Sequence, residues 1–69
     1  MFENVWWYFD KRKDEKTFRM FGEIVSLLSQ NGIKFGVATL KWGYRLHIKN
    51  IPDMLFSKAK ELYDQTFSL

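Results

Sequence analysis

Asp10 and His47 are the side chains through which this chain of 69 residues could make or break bonds. Asp10 follows the aromatic run Val5-Trp6-Trp7-Tyr8-Phe9 and precedes Lys11-Arg12-Lys13. Such an acid could hold a divalent cation, but a lone carboxylate after a strand is ordinarily a turn residue or a helix cap. His47 stands between Arg45 and Lys49, one residue removed from each, with no orienting carboxylate close by in sequence for a Ser-His-acid relay. There is no cysteine to act as a nucleophile, and one histidine without cysteine cannot furnish a structural zinc site of the ordinary ligand sets. Gly22, Gly32, Gly36 and Gly43 are isolated, so no phosphate-cradling loop is present, and neither is an HExxH pair or a calcium loop. The expectation is a non-catalytic protein without metal or cofactor.

Recognition is better supplied. Trp, Tyr and Arg dominate binding energy at protein interfaces, and Trp6, Tyr8, Trp42 and Arg45 provide all three types. Lys34, His47 and Lys49 complete a candidate partner-binding set. The same rings could stack on the bases of single-stranded DNA or RNA while Lys34, Arg45, Lys49 and the loop Lys11, Arg12 and Lys13 met phosphates. That loop, however, has Asp10, Asp14 and Glu15 as neighbours, which is the pattern of a solvated charged turn.

The elements that must position these residues can be read along the chain. Val5 to Phe9 is a strand, rich in aromatic residues, that must place rings on both faces of a sheet: Val5, Trp7 and Phe9 on one, Trp6 and Tyr8 on the other. Asp14 can cap a following helix in which Phe18, Phe21, Ile24, Val25 and Leu28 recur at three- and four-residue steps, with Met20 and Leu27 at the margin. Asn31-Gly32 ends it. Ile33 to Trp42 and Tyr44 to Lys49 form a hairpin turning at Trp42-Gly43, with a bulge possible at the glycine. Pro52 and Asp53 open a second helix with Leu55, Ala59, Leu62 and Tyr63 on one stripe, widened by Phe56 and Phe67.

The order is β-α-β-β-α, a single small α+β domain with a three-stranded sheet in order 1-3-2 and both helices on one face. It resembles a ferredoxin-like fold lacking the last strand, a topological likeness that implies no function. Small metal-dependent nucleases of ferredoxin-like fold place an acid where Asp10 stands, which keeps metal-dependent cleavage as a remote alternative.

Placing Leu46 and Ile48 against the helices sends Val5, Trp7, Phe9, Ile33, Phe35 and Val37 to the covered side. The open face then carries Trp6, Tyr8, Lys34, Gly36, Ala38, Leu40, Trp42, Arg45, His47 and Lys49, shallow in the middle at Gly36 and Ala38. The first strand lies at a sheet edge with no Lys, Pro or inward charge guarding Val5 to Phe9, which invites a two-fold dimer or strand addition to a target.

With no disulfide or structural zinc available, the core must come from apolar side chains alone. Seven Phe, three Trp and three Tyr make up 19% of the chain, and each ring can bury about 150–250 Å². A net charge of +3 and a pI near 9.3 favour an acidic partner only mildly. No stretch approaches the roughly 20 apolar residues that span a bilayer, and the first residues lack the pattern of a signal peptide, so a cytoplasmic location without membrane contact is expected. The functional expectation is a small inhibitor or adaptor of the kind viruses and mobile elements encode, binding a protein and forming a homodimer.

Overall fold

A computed structural model describes residues 1–12 and 15–67. Strand β1 spans Phe2–Asp10, helix α1 Glu15–Gln30, strand β2 Phe35–Leu40, strand β3 Gly43–Ile51 and helix α2 Asp53–Gln65. All pairings are antiparallel and the strand order is β1-β3-β2, the expected α+β topology. The expected cap Asp14 and the loop residue Lys13 lie outside the described residues.

The register fixes which residues share a row. Trp6, His47 and Gly36 are aligned across the sheet, as are Tyr8, Arg45 and Ala38, while Trp7, Leu46 and Val37 form a row on the opposite face. That opposite face holds the core, where Trp7, Phe9, Leu46, Ile48 and Ile51 meet Ile24 and Leu28 of α1 and Ala59 of α2. Rings join these elements into a continuous chain. Phe2 stacks on Phe56 with centroids 3.9 Å apart, Trp7 on Tyr63 at 4.7 Å, and Phe9 meets Phe21 edge-on at 5.0 Å. Phe21 in turn stacks on Tyr44 at 5.1 Å. Each such pair is worth about 0.5–1.5 kcal/mol beyond its buried area, a substantial help to so short a chain.

Local chemistry explains the boundaries. α1 ends in a Schellman turn: the Ile33 N–H donates to the Leu28 carbonyl at 2.9 Å and the Gly32 N–H to that of Ser29 at 3.2 Å. Gly32 takes φ +66°, which costs a glycine nothing, and Ile33 and Leu28 pack together at the core. Pro52 stands just before α2, its carbonyl accepting the Phe56 N–H at 2.9 Å. Asn4 has φ 51° and sits where both β1 and β3 change phase: Phe2 reaches Phe56 on the helix side, and Lys49 and Asn50 are exposed in succession before Ile51 is buried.

Four sequence expectations need correction. The hairpin turns at Lys41-Trp42 without a register offset, because Leu40 pairs directly with Gly43. Gly43 is required for another reason: a Cβ there would collide with the Phe9 carbonyl oxygen and come within 3.1 Å of the Tyr8 ring. The second strand is shorter than its β-rich composition, beginning at Phe35 because Ile33 is used by the helix terminus. The buried stripe of α1 is Thr17, Met20, Ile24 and Leu28, which leaves Phe18 at its flank, 62% exposed. Val37 points to the helix side as expected yet is 46% exposed, since the helices come closest to the sheet over β1 and β2 lies beyond them.

Candidate functional site

Alternation along β1 and β3 builds the open face. Because Trp7, Phe9, Leu46 and Ile48 are drawn into the core, Trp6, Tyr8, Arg45 and His47 must project to the other side. Trp6 is 54% exposed, Trp42 47% and Tyr8 41%. Among the described residues no helix covers them.

Trp6 and Trp42 are held by basic groups rather than by other hydrophobic rings. Trp6 lies flat on His47, with centroids 3.8 Å apart and planes at 6°, and the Arg45 guanidinium sits 5.2 Å from the Trp6 centroid. His47 Nε2 lies 3.1 Å from Asn4 Oδ1, so the positive-φ residue of β1 also fixes the imidazole beneath the indole. At the other end, Trp42 has the Arg12 guanidinium 5.0 Å and the Lys41 ammonium 5.2 Å from its ring centroid. Contacts of this kind are worth about 0.5–1 kcal/mol when exposed. Their main effect is to hold long basic side chains in place.

Asp10 is occupied. Its Oδ1 accepts the Arg12 backbone N–H at 2.9 Å and Nε–H at 3.0 Å, and its Oδ2 accepts from the terminal guanidinium nitrogen at 2.8 Å. The hydrogen bond from Arg12 to Asp10 raises the guanidinium pKa above its ordinary value, and the same bonds hold Arg12 beside Trp42. Among the described residues no group of His, Asp and Glu is arranged to hold a metal ion. The loop residues Lys11 and Arg12 thus separate: Arg12 joins the Trp42 end of the site, while the Lys11 ammonium stands 5.9 Å from the Tyr44 ring.

Between the rings and β2 lie two adjoining depressions. One, of about 240 Å³, is lined by Trp6, Gly36, Val37, Ala38, Arg45 and His47. The other, of about 200 Å³, is lined by Lys34, Phe35, Gly36, His47 and Lys49. They meet at Gly36, where an added Cβ would find nothing within 4 Å, so the hollow exists because that position has no side chain. Lys34, Arg45 and Lys49 stand at the rims, and no acidic residue lines either. The structure therefore gathers Trp6, Arg45, His47, Lys34 and Lys49 into one surface. Tyr8 and Trp42 extend it toward the hairpin. Sequence reasoning missed Asn4 as part of this surface and placed Arg12 in the basic loop, since nothing in their spacing signals a contact with His47 or Trp42.

The β1 edge is less bare than its sequence implies. The Tyr63 hydroxyl, from α2, donates to the Tyr8 carbonyl at 3.3 Å, and toward the other end Asn4 departs from extended backbone at φ 51°. Comparison with family models, with curated proteins and with solved structures returns no match. Among the described residues, no helix is long and apolar enough to cross a membrane.

Proposed function

We propose that this chain is a non-catalytic protein-binding module, an inhibitor or adaptor that docks a protein with an acidic, knob-bearing surface onto its open sheet face. The observation that carries this reading is the depression floored by Gly36 and bounded by Trp6, His47 and Arg45. A hollow of that size takes one side chain of a partner, and indole and guanidinium groups around it are the usual anchors of such contacts. Their mutual stacking lowers the ordering cost on binding, which is where affinity is commonly lost.

The test is affinity capture from nuclease-treated extract with wild-type protein, Trp6→Ala and the remote Lys58→Ala. Loss of a hot-spot ring weakens binding by about 2 kcal/mol or more, so Trp6→Ala should release partners that Lys58→Ala retains. Equal capture by all three proteins sinks the reading.

Single-stranded nucleic acid is the second reading, favoured by the basic rim of Lys34, Arg45 and Lys49 without an intervening acid. Filter binding of a labelled oligonucleotide at two salt concentrations separates the two. Retention at low salt that falls steeply as salt rises would favour phosphate contacts, and no retention at low salt removes them.

A further inference from the structure

The outer edge of β2 is a second surface, separate from the open face in its chemistry. The Lys11 N–H donates to the Trp42 carbonyl at 2.8 Å, which sets the phase of the whole ladder. By alternation, Phe9, Trp7 and Val5 turn their backbone groups toward Tyr44, Leu46 and Ile48, and Arg45 and His47 turn theirs toward β2. Gly36 and Ala38 answer His47 and Arg45. Phe35, Val37 and Thr39 are left with backbone N–H and C=O groups directed outward, and among the described residues no strand lies beyond them.

This edge has none of the usual protection. The segment Phe35–Leu40 contains no Lys, Pro or other charge, and its register with β3 shows no bulge. An apolar margin runs beside it: Val37 is nearly half uncovered, and the ring of exposed Phe18 lies 6.4 Å from that of Tyr44, the cross-strand neighbour of Thr39. β1, by contrast, has Tyr63 over one carbonyl and a residue at positive φ, Asn4.

We infer that β2 pairs antiparallel with β2 of a second copy of this chain, about a two-fold axis at Val37. In this register Val37 faces Val37, and Phe35 faces Thr39 of the second copy, so all three outward residues are used. A shift of two residues leaves one of them opposite Lys41 or Ile33, outside the strand. Lys34 falls opposite Leu40, and no like charges meet across the seam. The exposed valines cover each other on the helix side. On the open side Gly36 falls opposite Ala38 of the second copy, and the two sets of depressions fuse into one trough floored by four small residues. Only this last consequence rests on the open face being the docking surface.

The absence of cysteine makes the test clean. In a hydrogen-bonded antiparallel pair the Cα atoms are about 5.5 Å apart, within the disulfide range. Val37→Cys should therefore convert to a covalent dimer under copper-phenanthroline oxidation. Thr39→Cys, on the same edge, should not, because the two sulfurs would be four residues or ~13 Å apart along the seam. Wild type should sediment as a dimer and Val37→Lys as a monomer with unchanged far-ultraviolet circular dichroism. Should Val37→Lys fail to fold, Thr39→Pro removes one outward N–H and should give the same loss. A monomeric wild type at its highest soluble concentration, equal cross-linking of the two cysteine variants, or a dimer that survives these substitutions would overturn the inference. Trp6→Ala should leave the dimer intact, so self-association and partner capture are read independently.

Discussion

The two faces of the sheet draw on the same aromatic strand and use it in opposite ways. On the covered face, Trp7 and Phe9 find rings from both helices and are buried. On the open face, Trp6 finds an imidazole and a guanidinium and stays half in water. Ring against ring excludes solvent and stabilises the fold. Ring against cation leaves charge and aromatic surface at the boundary, where each can still meet a partner. Aromatic content alone therefore predicts neither stability nor binding; what decides is the kind of neighbour that each ring acquires.

Substitutions can break this contrast at several strengths. Phe9→Ala removes a fully enclosed ring and should cost about 3–5 kcal/mol, enough to abolish or nearly abolish the cooperative thermal transition of a small domain. Gly43→Ala forces a methyl group against the Phe9 carbonyl and the Tyr8 ring, and should lower stability by about 1–3 kcal/mol in urea titration. Tyr63→Phe keeps the ring stack on Trp7 but loses the hydroxyl bond to Tyr8; a loss of about 0.5–1.5 kcal/mol is expected by the same measurement. Trp6→Ala loses the contact with Arg45 and should cost about 0.5–1 kcal/mol, well below the cost at Phe9, while removing partner capture. If Trp6→Ala destabilises the fold as much as Phe9→Ala does, the two faces do not differ in role.

Gly36→Val gives the finest distinction. Space is open at that position and a β-branched residue suits a strand, so the fold should be unharmed or slightly firmer. The depression, however, would be filled. Retained capture by Gly36→Val would show that the hollow is not where a partner sits.

Much of this arrangement was legible in the residues. The alternation of Tyr44, Leu46 and Ile48 with Arg45, His47 and Lys49 assigned the faces of β3, and the five-residue aromatic run assigned those of β1. Asn31-Gly32 marked the end of α1 because its chemistry is local. What escaped sequence reading depends on distant parts of the chain. Tyr63 reaches Tyr8 across 55 positions, and nothing near Tyr8 announces it. Val37 has the pattern of a covered residue, but coverage is set by where the helices lie, and they favour β1. Phe18 fits a helical apolar stripe, yet a narrower stripe through Met20, Ile24 and Leu28 fills the space available. Arg12 reads in the sequence as part of a basic loop, whereas its bidentate grip on Asp10 turns it toward Trp42.

The three indoles occupy three different environments: Trp7 against a phenol in the interior, Trp6 on an imidazole, Trp42 between two cations at the hairpin tip. Intrinsic emission from this molecule thus carries separable signals. Trp7 reports loss of the folded interior, Trp6 reports a visitor on the sheet, and Trp42 reports events at the turn, with single Trp→Phe replacements sufficient to assign each band without attaching a dye.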